Sequence, residues 1–132
     1  MMNMILILRQ QCGNTTLEAD FNAIDFYNKV AEIYNRDSAP EILNPRGAYQ
    51  VGWASQVATL KPKRILEIGC GTGRRLNALV NYYDEHKLEL PEIVAVDPAP
   101  RMLEVIHEPL ASRVELINSS DSSQFDDNSF DL

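Results

Sequence analysis

The sequence predicts an α/β fold, in which a parallel βαβαβ sheet follows two N-terminal helices. Three short runs of Ile, Leu and Val carry the prediction: RILEIG at Arg64–Gly69, EIVAVD at Glu92–Asp97 and RVELIN at Arg113–Asn118. Each is too short for a helix and dominated by Ile, Leu and Val, as buried parallel strands are. Between them lie two amphipathic segments with short connections, and strands that alternate with helices in this way pack as a parallel sheet covered by helices.

The first helix is expected from about Phe21 to Asn35, where Ile24, Tyr27, Ala31 and Tyr34 recur at three- and four-residue steps, with Asp20 as N-cap. Asn35 to Pro45 reads as a loop. Gly47 to Leu60 gives a second helix with Tyr49, Trp53, Val57 and Leu60 on one face, ended by Lys61-Pro62-Lys63. After the first strand, Leu76, Leu79, Val80 and Tyr83 mark a helix from Gly73 to His86. Pro98 and Pro100 close the second strand. Pro100 suits a helix's first turn, and Met102, Leu103, Ile106 and Leu110 give that helix its inner face. The tail, SSDSSQFDDNSFDL, is polar and acidic until Phe130-Asp131-Leu132, which reads as the first step into a fourth strand. Residues 1–20 form an N-terminal arm, 21–60 the helical part and 64–132 the βαβαβ part. The domain is expected to be cut short before strand four.

At 132 residues and 45% hydrophobic composition, the chain has the size and apolar content of one globular domain. A formal net charge of -7 opposes nonspecific binding to DNA or RNA. The densest basic residues, Lys61, Lys63, Arg64, Arg74 and Arg75, flank a strand start and open a helix. Cys12 and Cys70 are the only cysteines; they make no disulfide framework, and no Cys/His spacing matches a zinc site. His86 and His107 are expected at the surface. A reduced, cytoplasmic setting fits these features. The apolar run Met4–Leu8 is shorter than a signal peptide core or a membrane span.

The chemistry concentrates in Glu67-Ile68-Gly69-Cys70-Gly71-Thr72-Gly73, at the junction of the first strand and the following helix. Glycines there allow a sharp turn and let a ligand lie against main-chain amides. A dinucleotide fingerprint, G-x-G-x-x-G, would require glycine where Arg74 stands, and a P-loop would require Lys followed by Ser or Thr after its last glycine.

ILEIGCGTG resembles motif I of the class I S-adenosylmethionine-dependent methyltransferases, E/D-x-G-x-G-x-G. VAVDPAPRML resembles the second motif of that family, and VELINSS with FDDNSFDL resembles the third. FYNKVAEIYN resembles the N-terminal helix of the small-molecule, ubiquinone/menaquinone-biosynthesis type. The resemblance covers Phe21 to Leu132 and implies a Rossmann-like sheet, S-adenosyl-L-methionine as cofactor and a small-molecule methyl acceptor. It places Gly69, Gly71 and Gly73 under the methionine moiety and ribose, with Cys70 between them in the cofactor-binding turn, Glu67 near the ammonium and sulfonium, and Asp97 on the ribose hydroxyls. Ala99 and Met102 fall beside the adenine, and Pro98 is also counted among the cofactor-binding residues. Its amino group is assigned to the Ser119-Ser120-Asp121 segment, with Asp121 and Ser119 as alternatives. Tyr27 and Tyr34 either cover the cofactor or pack as core. Asp97 has a competing reading as a turn opener before Pro98, and Glu67 as a strand-end cap. Cys70 reads as a small filler, with no base nearby to activate it.

The family's strand order, 3-2-1-4-5-7-6, puts strand one at the sheet centre. A chain ending at strand four is therefore expected to expose that strand's edge, open to self-association. No catalytic residue is assigned. Besides the methyltransferase, two readings remain: an inactive cofactor-binding or partner-binding fragment, and an NAD-binding oxidoreductase that Arg74 disfavours.

Overall fold

The computed structural model describes residues 22–34 and 45–132. In chain order these form α1 (Ala23–Tyr34), α2 (Pro45–Leu60), β1 (Arg64–Ile68), α3 (Arg74–Glu85), β2 (Glu92–Asp97), α4 (Pro100–Glu104) and β3 (Glu115–Asn118). The strands form one parallel sheet in the order β1-β2-β3. Ile65 lies opposite Ile93, Glu67 opposite Ala95, and Ala95 opposite Leu116.

Alternation along the strands sends Ile65, Ile93 and Ala95 to one face. There they pack with Leu76, Leu79, Val80 and Tyr83 of α3, Ala54 and Val57 of α2, and Ile106, Leu110 and Val114. The α3 residues recur at the spacing that lines one side of a helix, and all four are buried. On α2, Val57 is buried and Trp53 half-buried as the stripe predicts, but Leu60 is 67% exposed and Ala54 is fully buried. A small residue lets α2 lie close against α3, where Tyr82 Oη donates to Ser55 Oγ at 3.4 Å. Pro45 belongs to this helix, at the first position, where its missing amide hydrogen costs nothing. The loop assigned to 35–45 otherwise falls outside the described residues, as do the arm and Cys12.

Asp20, the expected cap of α1, also lies outside the described residues. Asn22 does the capping, its Oδ1 accepting from the amides of Ile24 at 3.0 Å and Asp25 at 3.3 Å. Only Ala31 of the α1 stripe is buried; Tyr27 is half-buried, and Ile24 and Tyr34 are exposed. Ala31 and Tyr27 pack with Ala99 and Met102.

Two elements are shorter than expected. The helix begun at Pro100 ends at Glu104, and turns follow, although Ile106 and Leu110 are buried all the same. Pro109 has no amide to donate and restricts Glu108, so the helix cannot run through to Leu110. The third strand begins at Glu115, because Arg113 N is bound to Leu110 O in the preceding turn.

The last residues pair with the first three residues of β1, the step toward a fourth strand that the sequence suggests, while Ile68 beyond them stays 64% exposed on the edge. Leu66 N donates to Leu132 O and Asp131 N to Arg64 O, both at 2.9 Å, while Asp131 Oδ2 accepts from the amides of Lys63 and Arg64. These two donors hold the Asp131 carboxyl below its ordinary pKa. The Arg64 guanidinium stacks 4.5 Å from the Phe130 ring centroid and pairs with Glu92 at 3.0 Å. The edge is thus paired along Arg64–Leu66. Among the described residues no helix is long and apolar enough to cross a membrane.

Leu76 is completely buried between α3 and the sheet. Leu76→Ala should cost about 2–5 kcal/mol of unfolding free energy in a urea titration. An unchanged midpoint would show that α3 does not close this core.

Candidate functional site

β1 ends at Ile68 and α3 starts at Arg74, so the glycine segment is the whole connection between them. It folds back onto β2: Gly69 N and Cys70 N both donate to Val96 O, at 2.7 and 3.1 Å. Gly71 N donates to Asp97 Oδ2 at 2.8 Å, and Gly73 N to Cys70 O at 3.0 Å. The sequence suggests amides lying open to a ligand. These four are instead spent inside the chain, and what the glycines contribute is conformation and space.

All three glycines have positive φ, +75° at Gly69, +56° at Gly71 and +75° at Gly73, where a side chain is strained. Their surroundings differ. A Cβ on Gly69 would meet nothing within 4 Å and would project into open space at the end of β1. One on Gly71 would touch Met102 Cε at 3.4 Å. One on Gly73 would fall 2.9 Å from Leu110 Cδ2 and 3.3 Å from Ile106 Cδ1. Gly73 therefore serves packing, and Gly69 keeps a surface clear.

Asp97 ends β2 and is 7% exposed. Besides Gly71 N on Oδ2, its Oδ1 accepts from Ala99 N at 2.9 Å. The turn-opening role and the contact with the glycine segment thus coexist in one side chain. Its main-chain oxygen accepts from Asn118 Nδ2 at 2.9 Å and Ser119 N at 3.2 Å, which brings the end of β3 to the same place. Ser119 Oγ accepts from Asp121 N at 3.0 Å. The Asp121 carboxylate accepts from Ser123 N at 2.8 Å, and the Ser123 hydroxyl together with this amide lowers its pKa. Ser119 is thereby linked to Asp97, whereas Asp121 is engaged within its own turn. Ser120 is exposed and Pro98 half-buried.

Ala99 and Met102 are buried against Tyr27 and Ala31 of α1. Asn28 Oδ1 accepts from Arg101 N at 3.0 Å, and Arg101 pairs with Glu32 at 2.9 Å, so α1 is fastened over the loop that follows β2. Tyr27 reaches this neighbourhood. Tyr34 is 42% exposed, and its ring meets that of Tyr27 in a T-shaped contact with centroids 6.3 Å apart.

Glu67 lies near the end of β1 with Oε2 buried and without a hydrogen-bond partner. Burial pushes its carboxyl up to about 7, with Arg75 pulling the other way. The cap role considered for Glu67 is thus not made at Oε2. Cys70 is buried, and its thiol is pushed up to about 12 by burial and by the nearby carboxylates of Asp97 and Glu67. Both acids therefore flank the glycine turn, and Cys70 is a filler with no thiolate character at neutral pH.

Arg75 and Trp53 were not among the expected site residues. The Arg75 guanidinium lies 5.0 Å from the Trp53 ring centroid, and both line a cleft of about 400 Å³ with Glu67, Val57, Ile68 and Leu132. The available signal was position: Arg75 is in the first turn of a helix that begins beside the strand end. Among the described residues no group of three or more His, Cys, Asp or Glu is disposed to hold a metal ion.

Residues 65–132 match the profile of a methyltransferase domain family. Uncharacterized methyltransferases of Mycobacterium tuberculosis and Mycobacterium bovis are 35% identical to the chain over 103 residues, 73% of this chain and 40% of each relative. The chain thus spans 40% of the length of these relatives. Among solved structures, an uncharacterized protein from Burkholderia thailandensis aligns with a TM-score of 0.46 and 23% identity over 74% of this chain and 30% of that one. The plantazolicin methyltransferase BpumL in complex with SAH aligns with a TM-score of 0.35 and 14% identity over 80% and 44%.

Gly73→Ala should lower the melting temperature more than Gly69→Ala, because only the former adds a clash to the backbone strain of about 1–2 kcal/mol. Equal losses would contradict the packing role of Gly73. For Glu67 the raised pKa means that the folded chain binds more protons than the unfolded chain between about 4.5 and about 7. Its contribution to stability is therefore lost as pH rises through that window. Glu67→Gln should stabilise the protein by about 1–3 kcal/mol at pH 8 and have little effect at pH 4.5. A stabilisation independent of pH would remove the charge as its cause.

Proposed function

The chain belongs to the methyltransferase-domain family, and from that membership we propose that its glycine turn and Asp97 hold S-adenosylmethionine for methyl transfer to a small molecule. S-adenosylmethionine is the methyl donor of this family. When bound, it supplies an electrophilic methyl group on a cationic sulfonium.

The observation that carries the reading is the hydrogen bond from Gly71 N to Asp97 Oδ2 at 2.8 Å. It locks the turn after β1 to the acid ending β2, so both face the carboxyl ends of adjacent parallel strands, where ligands of open α/β sheets bind. A carboxylate has about four acceptor positions, and Asp97 uses one on each oxygen. One remains on each for the two ribose hydroxyls, which is the demand of a vicinal diol. Gly69 leaves clear the space at the strand end, for the methionine side of the cofactor. Half-buried Pro98 supplies apolar surface for the adenine, backed by Ala99 and Met102, which pack against Tyr27 and Ala31 of α1. Ser119 is the better placed partner for the adenine amino group, being tied to Asp97 through its amide. Glu67 supplies negative charge on the methionine side.

Methyl transfer from a sulfonium requires the acceptor atom in line with the methyl and water kept away; a base is needed only for a protonated nucleophile. No residue is assigned that proton. The net charge of -7 favours a small acceptor over a polyanion.

Calorimetric titration with S-adenosylmethionine, S-adenosylhomocysteine and NAD tests the assignment. The first two should bind and NAD should not; tighter binding of NAD would sink the reading. Asp97→Asn, which keeps the side-chain shape and one carbonyl acceptor, should weaken both ligands about tenfold or more. A folded Asp97→Asn protein with unchanged affinity would take Asp97 out of the site.

A further inference from the structure

The cofactor reading leaves one arrangement unused. Glu67 and Arg75 carry opposite charges and line the same cleft, and Arg75 acts electrostatically on Glu67. Yet no ion pair joins them: the guanidinium is turned onto the Trp53 ring, and Glu67 Oε2 is buried without any partner. A buried carboxylate oxygen without a donor is costly, and the chain retains one beside its ligand-binding turn.

Resting on the cofactor reading, we propose that Glu67 senses the charge of the ligand, standing ionised opposite the cationic methyl donor and taking up a proton from solvent when the uncharged-sulfur product replaces it. Arg75 sets the balance. Held on Trp53, it is near enough to favour the carboxylate without neutralising it by contact.

The groups around Glu67 support this. From α3 it faces Arg75. From the glycine turn it faces the Cys70 thiol, which its charge helps keep protonated, and Asp97 of β2 acts on that same thiol. From α2 the cleft receives Trp53 and Gln56, neither of which titrates. Among the described residues Arg75 is the cation acting on Glu67, against one further carboxylate, Asp97, in the neighbourhood. Burial places the Glu67 titration at about 7, so a unit change of nearby charge alters its protonation at neutral pH. A cation within a few ångströms lowers a carboxyl pKa by about 1–3 units. The donor and product share the ammonium group and differ by the sulfonium charge, so the donor releases more protons on binding. Product formation is then accompanied by proton uptake, which removes the charge that would hold the ammonium and favours release.

The test is titration calorimetry of the purified protein at pH 7 in buffers of different ionisation enthalpy, which counts protons released per ligand bound. S-adenosylmethionine should release about 0.3–0.5 proton more than S-adenosylhomocysteine. Glu67→Gln should abolish the difference. Arg75→Met, which leaves Glu67 more fully protonated beforehand, should raise the release by the donor. Equal proton counts for two ligands that both bind would overturn the proposal and leave the cofactor site standing. A difference that survives in Glu67→Gln would overturn it as well. Failure of both ligands to bind would overturn the cofactor reading itself.

Discussion

The carboxylate of Asp97 is the point on which the site's geometry depends. Three chain segments that leave the sheet at its carboxyl end must be held at fixed distances, and none can do this alone. Asp97 holds Gly71 N with one oxygen and Ala99 N with the other, while its carbonyl receives Asn118 and Ser119 from the end of β3. The turn after β1, the loop after β2 and the exit from β3 are thereby indexed to one residue. Because Asp97 is buried, these bonds are shielded from water and more strongly directional than the same contacts at the surface.

That arrangement explains which parts of the molecule were legible in its sequence. β2 was readable to the residue, since EIVAVD is buried almost throughout and bounded by prolines. The glycine turn was readable as a turn, because only glycine adopts its conformation cheaply. Its inner wiring was not: an amide donating to a carbonyl of the next strand leaves no mark on either side chain. The length of α4 was not legible because apolar periodicity continues through Ile106 and Leu110. Those side chains are buried from turns as readily as from a helix, and Pro109 alone signalled the break. Asn22 took the cap assigned to Asp20, a shift of two residues between side chains that can cap equally well. The stripe on α2 was misread at Leu60 because periodicity counts large residues, whereas close helix packing selected Ala54.

The site also shows where binding and stability oppose each other. Leu76, Leu79, Ile93 and Val80 are almost wholly buried and make the sheet and its helices one body. Beside them stand a carboxylate oxygen without a partner and three residues at positive φ. The unpartnered oxygen lowers stability, whereas glycine at the three turn positions avoids the strain that a side chain would bring there.

The attachment of α1 carries a consequence for exchange kinetics. Among the described elements α1 packs on α4 alone, through Ala31, Tyr27 and the bonds from Asn28 and Glu32 to Arg101. Detaching it uncovers Ala99 and Met102 but leaves the buried residues of the sheet, α2 and α3 in contact. Opening of this kind costs far less than global unfolding, and it occurs correspondingly more often. The cover over the Asp97 loop can therefore come and go while the walls stand, and in the proposed cofactor site the rate of that local opening would bound traffic past α1. Because Glu32 and Arg101 are largely in solvent, added salt weakens one fastening and raises that limit.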